Sequence, residues 1–158
     1  MKKGIGIIGF GGNDEKLNML AYETGIHIAE YGLILFCGGL GGIMEAACRG
    51  ASEKGGITVG ILPGGSHFDA NKYIDIPVVT NMGEARNVIL VRSSTVLIAI
   101  GGGFGTLSEI SFGLKLEVPV IGLRTWDISE KIIKASNPSD AVDIAYNIIS
   151  KIEATPQF

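Results

Sequence analysis

The sequence predicts an α/β fold: a Rossmann-like, doubly wound parallel sheet in three α/β/α layers. Three observations carry this. Short apolar runs rich in β-branched residues alternate with longer segments of helical period, the pattern of a parallel sheet covered on both faces. The 24 glycines among 158 residues gather where those runs end. A hydrophobic content of 46% over this length fills one core and leaves no room for a second, so residues 1–158 read as a single domain.

Taken in order, the apolar run Ile5–Ile8 is the first strand, and Glu15–Tyr31 has the length and period of a helix. Leu33–Cys37 is the second strand, and the helix Ile43–Lys54 follows its glycine-rich end. Thr58–Leu62 and Ile76–Val79 are strands three and four, separated by the polar stretch Gly64–Asp75, which reads as a loop over the sheet edge. A helix over Gly83–Ser93 leads into the strand Val96–Ile100, and a helix over Gly105–Leu116 leads into the strand Val118–Leu123. The last helix spans Asp140–Lys151, with Ser139 or Asp140 after Pro138 as its expected N-cap.

The formal net charge of -3 and the lack of any Lys/Arg run argue against a nucleic-acid surface, which needs clustered cations. No uninterrupted apolar run approaches the roughly 20 residues that cross a bilayer, so a soluble, cytoplasmic protein is expected. Cys37 ends a strand and Cys48 lies within a helix, which favours two buried free thiols. His27 and His67 have no partners at ligand spacing, and no metal site is assigned. Gly4-Ile5-Gly6-Ile7-Ile8-Gly9 matches GxGxxG letter for letter, yet its glycines alternate within a strand instead of following one. The second strand also ends in Phe36-Cys37, where a dinucleotide fold would offer an acid to the ribose. NAD(P) is therefore disfavoured.

In an open parallel sheet all strand C-termini share one rim, and ligands bind there at the topological switch point. Four glycine-rich turns line that rim here: one at Gly11-Gly12, one from Gly38 to Gly42, one at Pro63-Gly64-Gly65, and one from Gly101 to Gly105. In the last, Gly102, Gly103, Phe104, Gly105 and Thr106 open a helix whose first N–H groups form an anion cradle, and phosphate is the expected guest. In the second, Gly38, Gly39, Gly41 and Gly42 put four glycines in five residues. That density exceeds what helix–strand packing needs, so one or two of them are expected to touch ligand. Met44, in the next turn, is either a ligand contact or core. Arg86 stands at a helix start, where the dipole disfavours a cation, and it is the strongest positive partner available to an anion; Arg92 is a weaker candidate. Glu109, one turn into the helix beyond the cradle, has two open readings: a catalytic carboxylate, or a structural acid bonded to backbone N–H groups or to Arg86.

With these residues in view, the chain resembles the LOG-like group of small Rossmann proteins, often mislabelled lysine decarboxylases; nothing in it calls for pyridoxal phosphate. The group's Pro-Gly-Gly-x-Gly-Thr-x-x-Glu signature is matched from Gly101 to Glu109 except at its first residue, and its arginine-lysine pair falls on Arg86-Asn87. Its Gly-Gly-x-x-Gly-Leu-Met element is similar to Gly38–Met44. The resemblance implies hydrolysis of the N-glycosidic bond of a nucleoside 5'-monophosphate by Glu109 and Arg86, with homodimers or homotetramers built through helices beside the pocket. Gly101, Asn87 and Ser108 depart from that pattern, replacing a proline, a lysine and the first of two glutamates. With Gly-Gly-Ile-Met-Glu-Ala, Gly-Ile-Leu-Pro-Gly and Ala-Arg-Asn, they look more like the branch that includes molybdenum-cofactor carrier proteins. That branch implies binding of a nucleotide or the molybdenum cofactor at the rim, with Asn87 beside it. Neither reading requires a further cofactor.

Overall fold

A computed structural model describes residues 3–154 of the chain. Its strands are β1 (Gly4–Gly9), β2 (Ile34–Cys37), β3 (Thr58–Leu62), β4 (Ile76–Val79), β5 (Val96–Ile100), β6 (Val120–Leu123) and β7 (Ile133–Lys134). Its helices are α1 (Glu15–Glu30), α2 (Ile43–Glu53), α3 (Arg86–Ser93), α4 (Phe104–Lys115) and α5 (Pro138–Ala154). All strand pairs are parallel, in the order β4-β3-β2-β1-β5-β6-β7. The chain winds outward from β1 to β4 and then returns to pair β5 with β1, so the switch point lies between the ends of those two strands.

Side chains of period 2 divide the core into two layers. Ile5, Ile7, Val96, Ile98 and Ile100 pack with Ala21 and Ile28 of α1, Ala47 of α2, and Val142 and Ala145 of α5. Ile8, Leu97 and Ala99 face the other way, onto Leu90 and Val91 of α3 and Ile110 of α4. The glycines of β1 belong to this packing: a Cβ on Gly4 would strike the Phe36 ring, and one on Gly6 the side chains of Ser94 and Leu97. They are core spacers inside a strand, as the failed fingerprint implied.

Several expectations shift by a turn or less. The helix expected from Gly83 begins as a 3-10 turn, Gly83–Ala85, and becomes α-helical at Arg86. The last helix is capped neither by Ser139 nor by Asp140. Asn137 Oδ1 accepts the Asp140 N–H at 2.9 Å, and Pro138 takes the first helical position, where its missing N–H costs nothing. The two-residue β7 is too short for periodicity to announce. Cys37 and Cys48 are free and buried, but the fold sets their sulfurs 3.5 Å apart because α2 packs directly on the end of β2. Among the described residues no helix is long and apolar enough to cross a membrane.

A pocket at the switch point

The turn after β5 is clasped from the side by the segment following β6. Gly101 N–H donates to Leu123 O at 3.4 Å, Thr125 Oγ1 donates to Gly101 O, and Trp126 Nε1 donates to Gly103 O at 3.3 Å. Gly103 is extended and precedes α4, its N–H bonded to Thr106 Oγ1 at 3.4 Å. The N–H groups of Phe104, Gly105 and Thr106 have no partner among the described residues. Three unspent donors at the positive end of a helix form a cradle for an anion.

The Gly38–Gly42 turn is the opposite wall. Asn71 holds it: its N–H donates to Gly39 O at 2.8 Å, and its Nδ2 donates to Leu40 O at 2.9 Å and Gly39 O at 3.3 Å. Gly42, at φ 64 and ψ -130, then turns the chain into α2. Arg86 reaches across from α3 and is only 6% exposed. Its Nη1 donates to Gly38 O at 2.8 Å and Ile61 O at 2.6 Å, while its Nε is buried and unpartnered. A Cβ on Gly38 would lie 2.2 Å from Nη1 and 2.8 Å from Nη2, so this glycine is what lets the guanidinium lie flat against the turn.

Between the walls lies a cavity of about 190 Å³, lined by Gly11, Gly38, Leu40, Met44, Glu84, Arg86, Asn87, Gly105, Thr106 and Glu109. Glu109 is 7% exposed and has neither a hydrogen bond nor a cation within 4 Å among the described residues. Burial pushes its pKa up to about 7; the positive charge of Arg86 opposes that rise, and Glu84 adds to it. An ion pair with Arg86, one form of the structural reading, is absent among the described residues: Arg86 Nη1 donates to two carbonyls instead.

Met44, Arg86, Asn87 and Glu109 thus meet in one cavity with Gly11, Gly38, Gly105 and Thr106. Asn87 donates to Ser108 Oγ at 3.1 Å, and Ser108 donates to Gly105 O at 2.8 Å. Two of the three positions that depart from the LOG pattern therefore touch each other, a neutral pair where that pattern has two charges. Gly12 and Gly42 face a neighbouring groove. Gly39 backs onto Leu62 and Gly60, and Gly41 approaches Glu45. Gly102 lies under the Trp126 indole, and Phe104 is 85% exposed at the outer lip. Pro63 and Gly64 lie outside the cavity, where their carbonyls accept the N–H groups of Gly83 and Asn81. Asn71, Glu84, Thr125 and Trp126 carry no motif. Their one signal is position, because each lies on a connection that leaves the same rim.

A doubly wound parallel sheet with a pocket at its switch point places the chain among the Rossmann-like folds. The chain belongs to the SLOG cluster4 family, whose pattern it matches over residues 2–151. An uncharacterized protein of Archaeoglobus fulgidus is 45% identical over 149 residues, covering 94% of this chain and 97% of that one. The molybdenum cofactor binding protein of the phototrophic bacterium Rippkaea orientalis superposes with a TM-score of 0.90 at 37% identity, covering 94% of this chain and 98% of that one. The Moco carrier protein of Chlamydomonas reinhardtii gives 0.87 at 36% identity, covering 96% and 99%. A probable cytokinin riboside 5'-monophosphate phosphoribohydrolase of Oryza sativa is 28% identical over 103 residues, which span 63% of this chain and 42% of that enzyme.

Proposed function

We propose that the chain is a binding protein for a phosphorylated small molecule, a nucleotide or the molybdenum cofactor, held at the switch-point pocket. The observation that carries this is the set of unspent N–H donors on Phe104, Gly105 and Thr106, facing a buried arginine whose Nε has no protein partner. A phosphate seated on those N–H groups would put the body of the ligand between the Gly38–Gly42 turn and Glu109. The likeness to two proteins described as molybdenum-cofactor binders supports the cofactor as cargo. Titration of the purified protein with AMP, GMP and molybdenum cofactor tests the reading. Saturable binding of at least one is expected, and no binding of any phosphorylated ligand would overturn it.

One observation favours a second reading, cleavage of the N-glycosidic bond of a nucleoside 5'-monophosphate. Glu109 is a buried carboxyl without a hydrogen-bonded partner that titrates near neutrality, a property suited to moving a proton or steadying a cationic sugar. In this reading Arg86, fixed by two carbonyls, would orient the substrate while Glu109, ionised, activated water. Release of free base from a nucleotide panel is the test. Activity unchanged in Glu109→Gln would exclude this mechanism. The binding reading keeps the notion of a soluble cytoplasmic homodimer or homotetramer, which light scattering on the purified protein checks.

A further inference from the structure

The pocket that holds Glu109 is small. At about 190 Å³ it falls below the roughly 300 Å³ at which ligand clefts usually begin. Beyond Gly11, which lines both spaces, a polar groove of about 450 Å³ opens on the far side of the Gly38–Gly42 turn. The two glycine turns touch there: a Cβ on Gly42 would lie 2.6 Å from Gly12 O. The groove is lined by Asn13, Asn18, Glu45, Arg49, Lys72 and Tyr73.

Its cations are held without being neutralised. The Arg49 guanidinium sits 4.7 Å over the Tyr22 ring, and Lys72 Nζ sits 5.0 Å over the Tyr73 ring. Neither has a carboxylate within 4 Å among the described residues, although Glu45 lines the same groove. Other donors are also unspent. Asn18 Nδ2 is used on Asn13 Oδ1 at 3.0 Å, but the amide nitrogen of Asn13 and the backbone N–H groups of Gly11 and Gly12 have no partner among the described residues. Two positioned cations and free N–H groups are the chemistry that receives a second phosphate.

We propose that this groove is a second phosphate subsite, and that the ligand is phosphorylated at two separate points of its body, one phosphate on the α4 cradle and the other between Arg49 and Lys72. The proposal rests on the binding function inferred above. Within that reading it selects a nucleotide with two separated phosphates over the molybdenum cofactor, whose single phosphate fills only the α4 cradle, and over ligands whose phosphates are all joined in one chain.

Calorimetric titration at fixed salt compares AMP, ADP, adenosine 3',5'-bisphosphate and the 5'-phosphorylated dinucleotide pApA. At least one of the last two is expected to bind about tenfold tighter than AMP, with no such gain for ADP. In the double variant Arg49→Ala/Lys72→Ala that gain should vanish while AMP binds within about twofold of the parent. Circular dichroism confirms the fold of the double variant, whose altered side chains are exposed. The second subsite is overturned if neither bisphosphorylated ligand outbinds AMP, if ADP gains equally, or if the gain survives in the double variant. AMP binding with none of these gains leaves the pocket reading standing alone; no binding by any of the four overturns the second subsite, and the pocket reading is then decided by the GMP and molybdenum-cofactor titrations.

Discussion

Replacing Glu109 by glutamine removes one proton equilibrium and keeps the side chain's shape. In the fold this carboxyl titrates at about 7, against an ordinary 4.5. Between those values the unfolded chain has released its proton and the folded chain has not, so the folded state binds more protons and stability falls as pH rises. The contribution is fully present below pH 4.5 and is lost as pH passes through 7. At about 1.4 kcal/mol for each tenfold ratio, the loss amounts to roughly 3 kcal/mol for a group this deeply buried. A glutamine side chain has nothing to ionise. The substituted protein should therefore lie within about 1 kcal/mol of the parent near pH 5 and exceed it by roughly 3 kcal/mol above pH 8, where the gap is roughly 6–12 °C in Tm for a chain of this size. Thermal unfolding of both proteins without ligand, at pH 5, 6.5 and 8.5 and equal ionic strength, measures the gap directly, because every other titrating group cancels in the difference. A gap that stays constant with pH would refute the desolvated, unpaired carboxyl.

Four further outcomes follow from the contacts around the site. Gly42→Ala places a Cβ 2.6 Å from Gly12 O on a backbone at φ 64, and should cost at least about 1–3 kcal/mol by urea unfolding, with the m-value unchanged. Trp126→Phe deletes the donor to Gly103 O and should cost about 1 kcal/mol. Trp126 is also the only tryptophan in the chain, so phosphate-ligand binding at the adjoining turn should change the parent's fluorescence. Asn87 is 3% exposed and its amide donates to Ser108 Oγ at 3.1 Å, so Asn87→Lys/Ser108→Glu should be more stable, by about 0.5–3 kcal/mol, than the sum of the two single changes. Additive losses in the double variant would contradict the contact between the two positions.

The fold was legible because parallel strands buried on both faces write themselves as unbroken apolar runs, and β5 (Val96–Ile100) is such a run with every residue buried. The walls of the site were legible for a related reason: glycine clusters mark places where backbone must approach something closely, and Gly38 and Gly42 do so. What stayed hidden depends on contacts far apart in sequence. Asn71 lies 32 residues from the Gly39 carbonyl it bonds, and Trp126 lies 23 from Gly103. Local pattern carries no trace of such bonds. Arg86 was visible as a misplaced cation at a helix start, yet its two carbonyl partners come from the ends of β2 and β3 and follow only from strand order. The adjacency of Cys37 and Cys48 was hidden in the same way.

The measurement that bears most directly on the account is a crystal structure of the protein soaked with AMP. The phosphate is expected within hydrogen-bond distance of the N–H groups of Gly105 and Thr106, with the sugar against Glu109 and Arg86. Well-ordered AMP bound elsewhere, with that turn left empty, would contradict this placement.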